Sequence, residues 1–419
     1  MVAGTIIGAS IFVQPSEIAR HLATPMEIMV VWVACGVLTL SGAFVCAELA
    51  SAFPATGGVY VFMRDTFSPL AGFLWGWAMF WSMHSGIVAA IAMVFARYSA
   101  FFVPVADLGM RVIAVGLIVA LSALNYVGVR AGSRVQTAFT LAKVCAIVAI
   151  VAVGFAFGGQ AAATQAAAGT IATTSASLRE FLLAMVAGLF AYGGWHMVTY
   201  TAGETKMPAK VIPTALVVGV MIVTACYVAL NLVYLRVLPV DVVRSSTRIA
   251  ADAADAVVGH GGSAVLAALV MMSSVGALTG IVLTGPRVYY SMARDGLAPR
   301  RLGEVHPVYR TPALAIIAQA IWASVLAATG AYRQIFTRVV YTEWLFFALM
   351  AAGLFRLRRR ADYRPEYRAW GYPVVPIVFI AAALAIVINQ LVSAPIDAST
   401  GLGLVALGVP IYYWRNAHR

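Results

Sequence analysis

Apolar runs of about 20 residues, the length of a membrane-spanning helix, follow one another along the whole of this 419-residue chain. Only 11% of the residues are charged, whereas a soluble domain carries about 25%. No hydrophilic stretch is long enough to fold by itself as a soluble domain. The sequence therefore predicts a single all-α membrane domain over residues 1–419, with the lipid bilayer as its surroundings.

The apolar runs predict twelve transmembrane helices with short connections. With the N-terminus in the cytoplasm, cytoplasmic segments receive about twice as many Lys and Arg residues as external ones, as the positive-inside rule requires. We therefore expect a multi-pass protein of a bacterial inner (cell) membrane, with both termini in the cytoplasm. The predicted spans lie near residues 1–22, 28–52, 68–100, 110–128, 134–158, 179–203, 212–236, 263–293, 311–330, 334–356, 372–393 and 402–414.

The net charge of +12 follows the same loop pattern. Because Lys and Arg lie between apolar runs and not along one stripe, nucleic acid is not an expected partner. An intramembrane enzyme would need a nucleophile–base pair or paired metal ligands, but the His residues show no spacing such as H-E-x-x-H and no span carries two carboxylates. A channel would need a continuous polar lining, whereas the polar groups of these spans gather around two interruptions. We expect no catalytic residue, no metal and no cofactor, and the sequence implies no accessory subunit.

Two of the predicted spans carry small residues where a stable helix would have Leu or Ile. They are "GTIIGASIFVQP" (Gly4–Pro15) in span 1 and "GLFAYGGW" (Gly188–Trp195) in span 6. If residues 1–158 and 179–356 are two repeats of five helices, the interruptions match, and the odd number inverts the second repeat. Matching interruptions in inverted repeats indicate a transporter's binding site at the membrane midplane. Residues 372–414 add two C-terminal helices, and we expect span 1 to be truncated at its start.

An interrupted helix leaves backbone groups without partners, which is costly in hydrocarbon unless a ligand binds them. N–H groups at the start of a half-helix attract a carboxylate, and carbonyls at the end of the other half attract an ammonium. An α-amino acid has both groups. The amides of Gly8, Ala9 and Ser10 are the candidates for the carboxylate, and carbonyls around Ile6, Ile7, Phe190 and Ala191 for the amine. Ile11, Gly193, Trp195 and His196 complete the candidate substrate-binding residues.

Small residues in membrane helices also mark close packing between helices, and Gly4 and Gly8 fit a G-x-x-x-G pattern. Taken alone, span 1 favours that alternative. The matching interruption in span 6 favours the binding site.

The two interrupted stretches resemble helices 1 and 6 of the amino acid–polyamine–organocation (APC) transporters, in particular the L-type amino acid transporter branch. "GETKMPAKVIPTAL", "AELASAFPATGGVYVFMRDTF", "GPRVYYSMARDGLAP" and "YRAWGYPVVPIVFI" resemble further segments, so the resemblance covers nearly the whole chain. It implies the LeuT-like inverted five-plus-five helix repeat plus two helices, and amino acid transport by alternating access. Ser10 replaces the last Gly of that family's usual G-S-G, which narrows the pocket floor.

The resemblance also assigns a role to Lys143, which lies in the middle of span 5. A Lys at a helix centre costs about 2.5–3.5 kcal/mol, so it needs acceptors. In sodium-coupled relatives a sodium ion ties helix 1 to helix 8, and transporters resembling this chain have a Lys amine there. Ser273 and Ser274 of span 8 offer hydroxyl acceptors. The resemblance therefore implies sodium-independent transport.

Further polar and aromatic residues in the spans leave alternatives open. Glu343 departs from the family, and it either lies in a hydrated vestibule, accepts protons during transport or attracts a cationic side chain. His196 either lines the side-chain pocket or is a satisfied structural histidine. By resemblance Phe190 is a lid over the substrate, and Trp344 a gate residue opposite it. Glu204 and Glu48 are either partners in an inner gate or interfacial charges.

The sequence therefore predicts a secondary transporter of neutral L-amino acids, by exchange or with a proton. The alternative is a cationic amino acid or polyamine transporter, for which Glu343 is the reason.

Overall fold

The computed structural model describes residues 1–157, 176–246, 248–258, 262–330 and 332–417, and these residues contain helices and no β-strand. The predicted boundary of the first repeat at residue 158 lies outside them. The helices are α1 (Val2–Ile6), α2 (Gln14–His21), α3 (Pro25–Ala52), α4 (Val59–Thr66), α5 (Pro69–Ala78), α6 (His84–Ser99), α7 (Asp107–Val127), α8 (Val129–Phe157), α9 (Leu178–Ala191), α10 (Pro208–Val237), α11 (Val240–Ser245), α12 (Ile249–Val258), α13 (Gly262–Arg294), α14 (Ala313–Thr329), α15 (Tyr332–Leu357), α16 (Val374–Ser393), α17 (Pro395–Ala406) and α18 (Gly408–Ala417).

Within the described residues, nine helical stretches are long and apolar enough to cross a membrane. They are Pro25–Ala52, Pro69–Ser99, Asp107–Val127, Arg134–Phe157, Leu178–Glu204, Pro208–Val237, Gly262–Arg294, Val374–Ser393 and Pro395–Arg415. Span 1 is divided between α1 and α2, and α14 is a shorter apolar helix. The count of twelve spans therefore stays a prediction.

Local sequence signals explain where several long helices begin. Thr24 and Glu27 form a capping box at the start of α3, with each side chain bonded to the other residue's backbone N–H. Ser68 caps α5 and Ser177 caps α9 through their hydroxyl groups. Proline occupies the first turns of α3 and α5, where its missing N–H costs nothing.

Contacts between helix termini fall into two sets, one for each end of the bundle. Because α9 and the 3-10 helix after it run from Leu178 to Glu204, we name these ends the Leu178 end and the Glu204 end. The Leu178 end has hydrogen bonds of Arg179 with Ser393 and of Ala176 with Glu27. The Glu204 end has those of Glu204 with Arg287, Tyr60 with Asp295 and Glu48 with Arg358. Helices α3, α13 and α15 therefore end at the Glu204 end, and α16 ends at the Leu178 end.

Candidate functional site

The first predicted interruption is present. Helix α1 ends at Ile6, a short 3-10 helix follows at Ser10–Phe12, and α2 starts at Gln14. Residues 7–9 between them are not helical. Among the described residues, the amide N–H groups of Gly8 and Ala9 make no hydrogen bond. The break therefore presents unpaired backbone donors where the sequence indicated them.

The second interruption lies directly against the first. Helix α9 ends at Ala191, and a 3-10 helix begins at Trp195. Gly194 has a φ of +93°, a left-handed conformation that favours glycine. A Cβ atom added to Gly194 would lie 3.5 Å from the carbonyl oxygen of Thr5 in α1. The two breaks are therefore neighbours in space although they are about 185 positions apart in the sequence.

Lys143 of α8 contacts the first break, and its side chain is almost fully buried. Its Nζ donates to the carbonyl oxygen of Ile7 at 2.6 Å and to that of Gly4 at 3.1 Å. Gly276 of α13 leaves room for it, because a Cβ atom there would lie 3.0 Å from Nζ. The ammonium group thus satisfies carbonyls that the break frees from the helix.

The two neighbouring serines of α13 have different surroundings. The hydroxyl of Ser273 lies 3.2 Å from the carbonyl oxygen of Gly8 and 3.4 Å from that of Ile7. The hydroxyl of Ser274 donates within its own helix, to Val270 at 2.8 Å. Ser273 is therefore a donor to the break and not the acceptor for Lys143 that we expected, and Ser274 bonds away from the break.

Tyr227 of α10 joins the two breaks, and no sequence signal distinguished it from the many other aromatic residues of the apolar spans. Its hydroxyl lies 3.0 Å from the carbonyl oxygen of Ile6 and 3.1 Å from that of Ala191. The rings of Trp32 and Tyr192 pack against its ring. One side chain therefore contacts the last turns of both interrupted half-helices.

The carbonyls expected for a substrate amine already have protein donors. Tyr227 reaches those of Ile6 and Ala191, Lys143 donates to Ile7, and the amide of Gly193 donates to Phe190 at 3.0 Å. A carbonyl oxygen has two lone pairs, so each retains capacity for a second bond. This corrects the expectation of fully free carbonyls; the unpaired groups at the breaks are amides.

A cavity of about 170 Å³ lies beside both breaks. Seven of the candidate substrate-binding residues line it: Ile6, Gly8, Ala9, Ser10, Phe190, Gly193 and Trp195. Four candidates lie behind this wall as buried residues: Ile7, Ile11, Ala191 and His196. The cavity wall also contains Glu343, Trp344, Val13 and Gln14. Because Val13 and Gln14 follow the break toward His21, the cavity extends to the Leu178 end.

Several lining residues were missed from the sequence. Four residues of α6 occupy positions i, i+3, i+4 and i+7 of one helix face: Ile87, Ala90, Ile91 and Val94. This helical spacing is visible in the sequence. However, the sequence of a helix that is apolar on all sides does not show which face lines a cavity. Phe347 also lines the wall, one turn after Glu343 in α15, and the i+4 spacing to Glu343 was the available signal.

Glu343 and His196 lie next to each other at the cavity wall. The carboxylate oxygen Oε1 of Glu343 is 3.5 Å from Nε2 of His196. The Glu343 side chain is 10% exposed, and that of His196 is fully buried. Rings of Trp75, Trp195 and Phe347 surround the imidazole. The carboxylate thus faces the cavity and the imidazole lies behind it.

The candidate gate residues occupy two different levels. Phe190 is half-buried and lines the cavity at the second break. Trp344 lines it too, edge-on to Phe347 with ring centroids 5.6 Å apart. Glu204 lies away from the cavity and forms two hydrogen bonds, of 2.7 and 2.8 Å, with the buried Arg287.

The Glu204 end of the bundle is closed by further bonds between loop and helix. The hydroxyl of Tyr60 donates to Asp295 at 2.5 Å, and that of Ser291 donates to the carbonyl of Thr56 at 2.5 Å. The amide of Gly57 donates to the carbonyl of Tyr200. Several bonds therefore join loops and helices at the Glu204 end, while the cavity lining extends from the breaks toward Leu178.

Glu48 does not have the exposed interfacial position that was one of its alternatives. Its side chain is completely buried, it forms a bidentate pair with Arg358, and it accepts the amide of Ala369 at 2.6 Å. Arg358 also lies over the ring of Tyr372. This cluster fixes the connection between α15 and α16 against α3.

Within the described residues, no three His, Cys, Asp or Glu side chains cluster as a metal site requires. The profile of the amino acid permease family matches residues 1–413. The chain belongs to the amino acid permease family. The permease is therefore a multi-pass membrane transporter of amino acids and not an enzyme.

Proteins of known activity resemble the permease along nearly its full length. The serine/threonine exchanger SteT of Bacillus subtilis is 29% identical over 99% of this chain and 94% of its own. The human cystine/glutamate transporter is 29% identical over 99% of this chain and 83% of its own. The human b(0,+)-type amino acid transporter 1 is 29% identical over all of this chain and 86% of its own. This family has the LeuT-like membrane fold.

Proposed function

We propose that the permease moves neutral L-amino acids by alternating access, without sodium, either in exchange or together with a proton. One observation carries the proposal: two interrupted helices meet at a cavity, and the amides of Gly8 and Ala9 beside it have no partner in the part of the chain that the structure describes. Unpaired N–H groups next to a helix break are the groups that bind a carboxylate.

Substrate orientation follows from the polarity of the cavity wall. The carboxylate binds the amides of Gly8, Ala9 and Ser10, and the amine binds the remaining lone pairs of the Ile6 and Ala191 carbonyls. The rest of the wall is mainly apolar and aromatic, with Trp195, Phe347 and the Ile87 face of α6 among its residues. Moving an apolar substrate side chain out of water into this wall is therefore favourable.

The position of Lys143 supports sodium independence. Its ammonium group bonds to two carbonyl oxygens of the first break, which are the kind of ligand that a sodium ion takes. Ser273 bonds to the same backbone stretch from α13. The Lys143 ammonium of α8 (span 5) thus bonds to the first break, where sodium-coupled relatives use an ion. A second cation there would be repelled.

The two ends of the bundle support an outward-open state. We assign the Glu204 end to the cytoplasm, because the Lys- and Arg-rich loops follow α9 and α15 there. The Glu204–Arg287 pair is then an inner gate, and Phe190 and Trp344 are the aromatic gate at the cavity. Both termini lie in the cytoplasm in this arrangement.

A second candidate, transport of cationic amino acids or polyamines, is favoured by the Glu343 carboxylate in the cavity wall. The relatives include a serine/threonine exchanger and a cystine/glutamate transporter, so substrates vary among them.

Purified permease in liposomes loaded with unlabelled amino acid distinguishes the candidates. We expect counterflow of labelled leucine or alanine in choline buffer, unchanged when sodium replaces choline. Uptake of arginine and putrescine alone would overturn the neutral assignment. A strict need for sodium would overturn the role of Lys143, and a current without saturable counterflow would indicate a channel.

A further inference from the structure

Glu343 is the one charged side chain among the described residues that line the mainly apolar cavity. Glu343 lines the cavity, and its nearest ionisable neighbour is His196, with Oε1 and Nε2 3.5 Å apart. In the part of the chain that the structure describes, neither ring nitrogen of His196 makes a hydrogen bond. No Lys or Arg among those residues comes within 4.0 Å of the Glu343 carboxylate. The carboxylate therefore has no permanent cationic partner there.

The other titratable groups around the pair carry no opposing charge. They are His84 of α6, which faces His196, and Tyr200 of the 3-10 helix, which faces Glu343. Among the described residues, neither forms an ion pair with Glu343. The charge balance of this part of the cavity is therefore decided by Glu343 and His196 alone.

Removing an unpaired charge from water is costly, so a buried pair of this kind keeps a net charge of zero. A carboxylate and an imidazole are together neutral when they share one proton, whichever of the two holds it. If that proton leaves, a negative charge remains at the cavity wall. Another cation must then take its place.

We propose that Glu343 and His196 form a site for one cation, which is either a proton or the side-chain cation of a basic amino acid. The inference rests on the proposed transport function and defines its coupling. A neutral amino acid then moves with one proton taken from the water in the cavity. A basic amino acid places its ammonium or guanidinium group against Glu343, and the proton returns to that water.

Exchange between unlike substrates tests the inference in the wild-type permease. Liposomes are loaded with arginine and a pH-sensitive dye, and labelled leucine is added outside. We expect the lumen to acidify by about one proton per leucine, since leucine enters with a proton and arginine leaves without one. Liposomes loaded with leucine should show the same counterflow and no change in pH.

Two variants locate the site. Glu343→Gln keeps the shape of the side chain and removes its charge, so luminal acidification should be lost, and arginine exchange should be lost relative to leucine–leucine counterflow measured in the same variant. Glu343→Asp should retain both. Glu304→Gln, at an exposed carboxylate far from the cavity, is the matched control and should behave as wild type. Thermal melting in detergent confirms that each variant is folded.

The outcomes separate the inference from the function on which it rests. Leucine counterflow without proton movement against arginine, or arginine exchange that survives in Glu343→Gln, overturns the cation site and leaves neutral transport standing. Absence of arginine exchange in the wild type also overturns it. Absence of any leucine counterflow contradicts the proposed function itself.

Discussion

The two interrupted helices meet at one cavity, yet different forces hold them open. Side chains from three other helices hold the first break: Lys143 from α8, Tyr227 from α10 and Ser273 from α13. The second break is shaped mainly by its own backbone, through the left-handed Gly194 and the turn from Gly193 to Phe190. Loss of charge therefore threatens the first break, and loss of conformational freedom threatens the second.

The two breaks also differ in the groups that each presents to the cavity. The first has its carbonyls engaged by a fixed cation and its amides unpaired, so it presents donors to the cavity. The second exposes little beyond the half-buried Phe190 and a turn that needs glycine. Selective substitutions in each break test this division, from the largest expected effect to the smallest.

Lys143→Ala should have the largest effect. It removes two charge-assisted hydrogen bonds, each worth about 1.5–3 kcal/mol, and leaves the carbonyls of Gly4 and Ile7 without their donor. We expect leucine affinity to fall by about 100-fold, from about 3 kcal/mol in all. Binding of labelled leucine to purified protein measures it, with the exposed Lys210→Ala as control. Wild-type affinity in a folded Lys143→Ala protein would contradict the role of the cation.

Gly194→Ala should weaken the second break by strain alone. The added Cβ has room, at 3.5 Å from the nearest oxygen, but a left-handed conformation costs an L-residue about 1–2 kcal/mol. We expect about tenfold slower counterflow and a lower melting temperature. Gly116→Ala, which meets nothing within 4 Å in α7, is the control. Equal behaviour of the two variants would mean that the second break does not depend on its glycine.

Tyr227→Phe should affect both breaks at once. A buried hydroxyl bond contributes about 1 kcal/mol, so we expect about fivefold weaker leucine binding with little change in expression. Tyr234→Phe is a matched control on the same helix, because the Tyr234 hydroxyl is buried and has no hydrogen-bond partner among the described residues. The idea of a shared contact fails if the control loses as much affinity as Tyr227→Phe does.

Ser273→Ala should give the smallest change. Hydrogen bonds between membrane helices average about 0.6 kcal/mol, which is about a twofold to threefold effect. Ser274→Ala is the neighbouring control, since that hydroxyl bonds within α13. Counterflow rates of the two variants measured side by side decide the point. A larger loss in Ser274→Ala would reverse the assignment of the two serines.

The breaks were predictable because glycine and serine in an apolar span are a local signal. The place of Lys143 was predictable from a family resemblance, and the structure puts its ammonium group on the carbonyls of Ile7 and Gly4. Tyr227 was not predictable, because aromatic residues occur throughout helices that are apolar on every side. Which carbonyls already have donors depends on how helices far apart in sequence pack together, and no local pattern records that.

The acidic residues at the Glu204 end show the same limit to what the sequence alone can predict. Glu48 and Glu204 both end a span near basic residues, and the sequence left each with two alternatives. The structure buries Glu48 completely beside Arg358 and leaves Glu204 partly exposed beside Arg287. The decisive difference is the loop before α16, which folds back over Glu48 and donates the amide of Ala369. Loop paths of this kind have no residue pattern of their own.

A phenol has only one hydrogen to give, while Tyr227 stands within reach of two oxygens, at 3.0 and 3.1 Å. It can point that hydrogen at Ile6 or at Ala191, never squarely at both. At each moment one of these two carbonyl oxygens lacks the hydrogen bond from Tyr227. If the proposed substrate amine binds here, its three hydrogens supply the missing donor, and both helix ends are then fully bonded.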